Sequence, residues 1–501
     1  MSALCYNIPF ASLLLAILSA VAAPLLRSPE RALNLVRGVQ LAVAALSGLL
    51  LAWLWQTGGS FTYTLGHFPA PWGNELLAGP LEALLALCFS LVMFLSMTGG
   101  ADDLRRDIPE ERRGRYCLLM QLLYAALLAL VYTSDLFTAY VFIEIAAITA
   151  CVAVVAKESG RSVVAAIRYL IFSCLGSGLI LLGISILYAV TGHLLMENLS
   201  RAVAQLAASG QYMLPLTVSA LLMTLGLSIK SAQFPFHAWL PDAHASATTA
   251  SSAILSGLVL KGYIVLMVKL IVRVFGQGLI VGIYMHDLLF LLGLAGMLFA
   301  SVAALRQEDV KRMVAYSSSA QISYIFLALG LGSRAGVAAA CFQVLAHAFT
   351  KPMIFVGAGA LIRAGNGGHY WSDLRGSAWR DPAAGLAFTV GGLSLCGLPL
   401  LAGFSAKYSL AVAALSAQWQ IMPALFGLAV SSVLNAMYYI PAILAIWSRP
   451  RAGRTTANST ERTRGHRLAI GCFLAANVLL GVAVGPIMTV IHQGLTLLQQ
   501  G

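Results

Sequence analysis

Charged side chains are scarce in this sequence. Only 10% of its 501 residues are Asp, Glu, Lys or Arg, whereas 59% are hydrophobic, and soluble globular domains carry about 25% charged residues. Such a composition excludes water as the main solvent of the folded chain. It indicates a protein that lies largely within a lipid bilayer.

Clustered metal ligands and nucleotide-binding motifs are also missing. The eight cysteines are scattered singly without a CxxC spacing, and the nine histidines include no HExxH pair, whereas zinc and iron–sulfur sites need clustered thiolates or imidazoles. No GxxxxGK[ST] phosphate loop is present. We therefore expect no cofactor, metal site, catalytic centre or redox centre in this chain. The energy for any transport must come from an ion gradient or a partner protein.

Long apolar runs are what the sequence has in abundance. A membrane-spanning helix needs about 20 mostly apolar residues, and fourteen windows of the sequence meet this requirement. The sequence therefore predicts an all-α polytopic membrane protein with fourteen helices. The windows are 5–25, 33–55, 79–99, 116–134, 136–156, 163–190, 213–233, 250–272, 287–305, 312–331, 335–363, 384–414, 420–447 and 468–491.

The basic residues are distributed unevenly between the two ends of these helices. Most of the 31 Lys and Arg residues fall in alternate connecting loops, on one side of the predicted bundle. Basic loops accumulate on the cytoplasmic side, so an even number of helices places both termini on the outer, periplasmic side of the inner (cytoplasmic) membrane. These loops and their contact with anionic lipid explain the net charge of +12. No nucleic acid is expected as a partner.

Five ionisable residues lie inside the apolar runs. One is a glutamate and four are lysines: Glu144, Lys230, Lys261, Lys351 and Lys407. A charged residue at the centre of a spanning helix costs roughly 2.5–3.5 kcal/mol, so such residues usually face an interior cavity on an ion or proton path. A lysine near a helix end can instead extend to the membrane surface. We keep this alternative for Lys351 and favour it for Lys269.

Two of the lysines, Lys230 and Lys407, stand beside residues that interrupt helices. Proline removes a backbone donor and breaks a helix, and two interrupted helices in corresponding positions point to a transporter built from inverted repeats. In the first of these segments, Asp242 and His244 are expected to brace the cytoplasmic turn. The residues predicted to break the helices are Pro235 and Pro241 after Lys230, and Pro399 and Gly403 before Lys407.

Four sequence segments resemble those of one known family. They are VFIEIAA (141–147), KSAQFPFHAWLPDAH (230–244), HAFTKPMIF (347–355) and GLPLLAGFSAKY (397–408). They resemble the antiporter-like membrane subunits of respiratory complex I, Mrp-type cation/proton antiporters and membrane-bound hydrogenases. The resemblance covers most of the chain. It implies fourteen helices with two inverted five-helix repeats, each containing one broken helix.

The resemblance also implies roles for the motif residues. Glu144 would pair with Lys230, and Lys261 would connect this pair to the rest of the proton path. His347 would extend a central polar row, and Lys407 would be the terminal lysine of the second repeat. Without the resemblance, His347 would be interpreted as a hydrogen-bonded interior histidine.

The resemblance also indicates the subunit type. The chain ends at Gly501 without the long lateral helix of the distal complex I subunit, and the loop GHFPAPWG (66–73) is similar to the D subunit of Mrp antiporters. We therefore expect a D-subunit type.

The resemblance further divides the chain into four segments. The segments are an N-terminal three-helix segment at 1–115, a first proton-translocating repeat at 116–272, a second inverted repeat at 287–447, and a cytoplasmic basic loop with the last helix at 448–501.

Three functions remain compatible with the sequence. The chain could be a proton-translocating subunit of an Mrp-type antiporter or of a redox-driven complex I-like or hydrogenase-like pump, with other membrane subunits, protons, sodium and lipid as its partners. It could be a stand-alone secondary transporter, although no polar cluster for a substrate is visible. It could also be a non-conducting scaffold of the same fold, although the retained charges argue against this.

Overall fold

A computed structural model describes residues 2–68, 73–449 and 463–500 of the protein. Its N-terminal segment contains three long helices and a two-stranded hairpin. Apolar runs form helices because a helix satisfies its backbone hydrogen bonds internally, in a solvent that offers none. Positions 69–72 of the loop GHFPAPWG lie outside the described residues. The elements are α1 (Ser2–Ala22), α2 (Pro29–Thr57), β1 (Phe61–Thr64) and antiparallel β2 (Glu75–Ala78), α3 (Pro80–Gly99) and α4 (Ala101–Asp107).

The next group of helices contains the first interrupted helix. Two π-helical turns, Leu255–Val259 and Leu270–Val274, extend α11 and α12 into one continuous span. The helices are α5 (Glu110–Tyr132), α6 (Leu136–Val155), α7 (Gly160–Thr191), α8 (Met196–Ser209), α9 (Met213–Lys230), α10 (Leu240–Ser246), α11 (Thr249–Ile254) and α12 (Leu260–Lys269).

The remaining helices contain the second interrupted helix. Positions 450–462 of the predicted cytoplasmic basic loop lie outside the described residues. The helices are α13 (Gly276–Gly282), α14 (Met285–Leu305), α15 (Val310–Leu329), α16 (Arg334–Ala364), α17 (Ser377–Arg380), α18 (Pro382–Cys396), α19 (Ala402–Ala414), α20 (Ile421–Ile446), α21 (Arg464–Val482) and α22 (Val484–Gln500).

Twelve helical segments of the described chain are long and apolar enough to cross a membrane. They confirm the predicted all-α membrane fold, to which the structure adds the small hairpin β1–β2. The two other predicted windows, 312–331 and 384–414, correspond to the polar helix α15 and to the separate helices α18 and α19. The count of fourteen therefore stays a prediction.

Both interruptions lie beside a predicted proline. The chain leaves α9 at Lys230, adopts a positive φ of 54° at Ala232 and passes Pro235 before the next turn. Pro399 lies between α18 and α19, where Gly397 has a φ of 99°, a conformation that glycine adopts without steric cost.

Pro241 and Gly403 lie in the first turn of the following helix rather than in the break itself. Proline fits there because the first helical N–H groups have no partner within the helix. Gly403 allows α19 to pack closely against the end of α18, since a Cβ atom on it would lie 1.9 Å from the carbonyl oxygen of Ser394.

Two spans form the centre of the bundle. The segment Thr249–Val274 is buried throughout, α16 (Arg334–Ala364) is buried from Gly336 to Ile362, and α16 contacts α15, α18 and α19. A helix that is apolar all round is buried on every side. The lysines on these two spans therefore lie deep inside the protein.

Arginine-containing loops of the described chain meet at one end of the bundle, which we call the basic face, and the hairpin β1–β2 lies at the opposite face, beside the end of α5. Ion pairs join separate segments at the basic face. In one of them, buried Asp103 in α4 pairs with Arg363 at the end of α16. Three other pairs are Arg105 with Glu30, and Asp242 with both Arg168 and Arg312.

Candidate functional site

Lys230 is placed at the last turn of α9 and faces α6 and α7. Its ammonium lies 3.5 Å from a carboxylate oxygen of Glu144 and 2.9 Å from the hydroxyl of Ser173. Ser177 donates a second hydrogen bond to Glu144. The Lys230 side chain is fully buried, whereas 31% of the Glu144 side chain is exposed. The carboxylate therefore lies at the edge of the bundle.

Two glycines bring α7 and α9 together beside this pair. A Cβ atom on Gly226 would lie 2.5 Å from the carbonyl oxygen of Gly176, and one on Gly176 would lie 3.0 Å from Cγ of Lys230. Small residues allow membrane helices to approach this closely. The backbones are in direct contact where Lys230 meets Glu144.

Lys261 lies two residues after the π-helical turn Leu255–Val259. A π-turn releases a carbonyl from the regular helical pattern, and such turns frequently occur at functional sites. Lys261 donates to the carbonyl oxygen of Ser256, whose hydroxyl lies 2.9 Å from that of Ser318. The π-turn thus supplies the acceptor for a lysine that is fully buried.

His347 lies in the middle of α16, and a second histidine, His244, lies in α10. Both side chains are buried, and neither forms a hydrogen bond with any residue that the structure describes. The ring of His244 stacks on that of Phe355 with 4.6 Å between centroids. Each ring therefore has two buried nitrogens to which the described residues supply no hydrogen bond.

Lys351, four residues beyond His347 on α16, is fully buried and does not reach the membrane surface. Its ammonium donates to the carbonyl oxygen of Val314 at 3.0 Å, the hydroxyl of Ser317 at 2.8 Å and the hydroxyl of Tyr439 at 3.3 Å. The last two hydroxyls lie 3.0 Å apart. Lys351 therefore joins α15 to α20 through hydroxyl groups.

Lys407 in α19 faces the end of α18. It donates to the carbonyl oxygens of Leu395 at 2.8 Å and Cys396 at 3.3 Å, and to the hydroxyl of Ser432 at 2.9 Å. The carbonyl end of a helix is its negative end and favours a cation. The break between α18 and α19 thus supplies the acceptors for this half-buried lysine.

Three of the lysines lie over the rings of buried tyrosines. These contacts are favourable because the face of an aromatic ring attracts a cation. The sequence did not reveal these tyrosines as part of the site, because each lies far along the chain from its lysine. The pairs are Lys230 with Tyr263 (5.6 Å to the ring centroid), Lys351 with Tyr439 (5.9 Å) and Lys407 with Tyr324 (5.5 Å).

The arrangement places each of several buried ionisable groups beside hydroxyls, and it suits the transfer of protons. Among the residues that the structure describes, no group of three His, Cys, Asp or Glu side chains could hold a metal ion. Fold and site together define a polytopic membrane protein with a buried row of lysines.

The chain belongs to the family described as NADH:quinone oxidoreductase/Mrp antiporter, transmembrane, whose sequence profile matches residues 133–434. This finding confirms the resemblance seen in the sequence motifs.

Relatives occur in several complexes. The chain is 34% identical to NADH-quinone oxidoreductase subunit N of Desulforudis audaxviator over 409 residues, which cover 81% of this chain and 79% of the relative. It is 26% identical to the D subunit of the Na(+)/H(+) antiporter of Bacillus subtilis, over 95% of this chain and 94% of the relative. A chain of the membrane-bound sulfane sulfur reductase, an archaeal respiratory membrane complex, has a TM-score of 0.87 at 26% identity, with 98% of each chain covered.

Proposed function

We propose that this protein is the proton-translocating, antiporter-like subunit of a multisubunit membrane complex. The observation that carries this proposal is the row of ionisable side chains, buried at its four central members, which extends from the edge of the first half to the edge of the second. The row consists of Glu144, Lys230, Lys261, His347, Lys351 and Lys407.

The Glu144–Lys230 pair is the proposed switch. Opposite charges stabilise each other strongly at short distance in a medium of low dielectric constant. When the Glu144 carboxylate moves away, the Lys230 ammonium loses this stabilisation and passes its proton to internal water. Ser173, at 2.9 Å from the ammonium, can hold the amine in place during this step.

The proton then moves along the two buried spans. Lys261 and His347 receive it in the centre, and Lys351 passes it through the hydroxyls of Ser317 and Tyr439. Lys407, at the second interrupted helix, is the last group of the row. Each transfer changes the charge beside the next lysine, so the row conducts through electrostatic coupling.

Partner subunits are expected at both ends of the row. Glu144 is partly exposed and Lys407 is half-buried, although each lies within the apolar part of the chain. An ionisable group facing lipid is costly, so neighbouring membrane subunits would cover both. The named relatives are subunits of an NADH-quinone oxidoreductase and of a Na(+)/H(+) antiporter, so either a redox reaction or sodium exchange in the partners would supply the coupling.

The proposed orientation follows from the charge distribution. The basic face would lie in the cytoplasm, and both termini would lie outside, in a protein of the inner membrane. The proposed division places the first repeat at 116–272 and the second, inverted repeat at 287–447. The segments 1–115 and 448–501 would pack beside them.

Ion transport by the whole native complex in sealed vesicles tests the proposal. Lys230→Ala and Glu144→Ala should each reduce proton transport by about 100-fold at matched assembly, since a positioned proton-transfer group contributes about 10²–10⁴-fold. Lys157→Ala is the matched control, because it removes a lysine that pairs with Asp107 at the basic face. Unchanged transport by fully assembled Lys230→Ala would instead identify the chain as a scaffold.

A further inference from the structure

Helix α21 lies outside both proposed repeats, yet one of its side chains binds two helices of the second repeat. Asn477 on α21 is fully buried. Its amide nitrogen donates to the hydroxyl of Thr350 on α16 at 2.7 Å, and its amide oxygen accepts from the backbone N–H of Ala402 on α19 at 3.3 Å. Thr350 directly precedes Lys351, and α19 carries Lys407. A single side chain therefore connects the helices of the last two lysines of the row.

The hydrogen bonds of this connection follow one another in a fixed order. The hydroxyl of Thr350 donates to the carbonyl oxygen of Ala346 at 2.7 Å, so its oxygen accepts from the Asn477 amide. The connection needs a donor and an acceptor on one short side chain, and asparagine has both. A side chain with only one of these groups could not bind α16 and α19 together.

The start of α19 depends on acceptors from other helices. The first N–H groups of a helix have no partner within it, and a polar N-cap side chain usually accepts from one of them. The N-cap residue of α19 is Leu401, which has no such acceptor. Asn477 accepts from the N–H of Ala402 instead. The hydroxyl of Ser394 on α18 accepts from the N–H of Gly403 at 3.0 Å. The first turn of α19 is therefore capped by side chains of two other helices.

Helix α21 also contacts the break between α18 and α19. Leu400 in this break has a positive φ of 69°, a conformation that a residue other than glycine keeps only when its surroundings hold it. Gly481 on α21 packs directly against it, since a Cβ atom on Gly481 would overlap the carbonyl oxygen of Leu400. The carbonyl oxygen of Gly481 accepts from the hydroxyl of Ser405 at 2.8 Å. Helix α21 thus holds both the break and the first turn that follows it.

We propose that Asn477 is a positioning residue for Lys407. The ammonium of Lys407 meets the carbonyl oxygens of Leu395 and Cys396 on the other side of the break, so its placement depends on where α19 begins. Asn477 fixes that point relative to α16, and it thereby fixes the position of Lys407 relative to Lys351. A displacement of about 1 Å in a site that transfers protons can reduce the rate by about 100-fold.

This inference rests on the proposed function, and Asn477→Leu tests it. Leucine occupies a similar volume but forms neither hydrogen bond. Gln121→Leu is the matched control, because Gln121 on α5 is another fully buried amide that joins neighbouring helices. It donates to the hydroxyl of Ser19 on α1 and accepts from the amide of Gln40 on α2, both at 3.0 Å.

The measurement is proton transport per assembled complex, with the whole native complex in sealed vesicles. Asn477→Leu should reduce the transport rate by about ten-fold, whereas Gln121→Leu should leave it unchanged although it also loses two buried hydrogen bonds. Thr350→Val should reduce the rate by about three-fold, the effect of one neutral hydrogen bond. Thr350→Ser keeps the hydroxyl and should transport at the normal rate. The double variant Asn477→Leu/Thr350→Val should be no slower than Asn477→Leu, because both substitutions remove the same connection.

Failure of the positioning role is distinguishable from failure of the proposed function. Equal transport by Asn477→Leu and Gln121→Leu, with Lys407→Ala inactive, would overturn the positioning role and leave the proposed function in place. Normal transport by Lys230→Ala or Lys407→Ala would overturn the proposed function itself. If Asn477→Leu does not assemble, the two Thr350 variants decide, since equal rates for Thr350→Val and Thr350→Ser contradict the connection.

Discussion

The ammonium of Lys230 is closer to the hydroxyl of Ser173 than to the carboxylate of Glu144, at 2.9 Å against 3.5 Å. The carboxylate in turn accepts a hydrogen bond from Ser177. Each member of the ion pair therefore has a neutral partner of its own. Such a pair can separate without leaving either group unsatisfied, which suits a switch better than a permanent structural contact.

Ser173→Ala tests this arrangement. A hydrogen bond to a charged group is worth about 1.5–3 kcal/mol, so the variant should lower the transport rate by about ten-fold while the complex still assembles. Ser219→Ala is the control, because Ser219 also lies between α7 and α9 but donates to the carbonyl oxygen of Gly183 at 2.7 Å. Equal rates for the two variants would show that Ser173 has no part in the switch.

Tyr439→Phe tests the hydroxyl link beyond Lys351. The substitution keeps the ring beneath the ammonium and removes the hydroxyl that lies 3.3 Å from Lys351 and 3.0 Å from Ser317. We expect the transport rate to fall by about ten-fold, because this factor corresponds to the loss of about one hydrogen bond. Thermal stability should change little.

Tyr124→Phe provides the comparison for this prediction. Tyr124 is another buried tyrosine, and its hydroxyl lies 2.6 Å from that of Ser90 rather than beside a lysine ammonium. Its substitution should leave the transport rate unchanged. If Tyr439→Phe transports protons as well as Tyr124→Phe, the hydroxyl is not on the path.

Gly403→Ala should disrupt the second interrupted helix. The new methyl group would lie 1.9 Å from the backbone carbonyl oxygen of Ser394, and overpacking a tight contact typically costs about 1–3 kcal/mol. We expect less assembled complex and loss of transport, measured by gel filtration and in vesicles. Gly471→Ala, which meets nothing within 4 Å, should have neither effect. Normal assembly of both variants would contradict the close contact.

The Asp103–Arg363 pair should hold the N-terminal segment against α16. Asp103→Ala removes the carboxylate from a buried pair, which costs about 3–5 kcal/mol, so the thermal unfolding midpoint in detergent should fall. The apolar pair Asp103→Leu/Arg363→Met should recover most of this stability, because no charge is then left without its partner. A double variant that is no more stable than Asp103→Ala would refute this account.

The sequence was sufficient for the parts of the fold that depend on local composition. Apolar length predicted the spans, and Pro235 and Pro399 predicted where two helices are interrupted. The partners of the lysines were not predictable, because residues such as Ser173 and Tyr439 approach them only through packing between distant helices.

Two positions depend on packing that the sequence does not show. Asp242 and His244 were both expected to brace a turn: Asp242 pairs with two arginines at the basic face, whereas the ring of His244 is buried against Phe355. Residues two apart on a helix point in nearly opposite directions, so one helix places them in different environments. Lys269 was expected to extend to the membrane surface, and this expectation is wrong because the residue is buried. The burial of Lys269 depends on α5, which is distant in the sequence.

The contact between Gly176 and Gly226 has a mechanical consequence. Since neither backbone has room for a methyl group, α7 and α9 cannot slide or rotate past each other without loss of packing. The two helices therefore form a rigid pair, and Lys230 lies at the end of one of them. Any displacement that separates Lys230 from Glu144 must then involve α6, which carries Glu144, or the short segment 231–235 that follows α9, while α7 and α9 remain packed together.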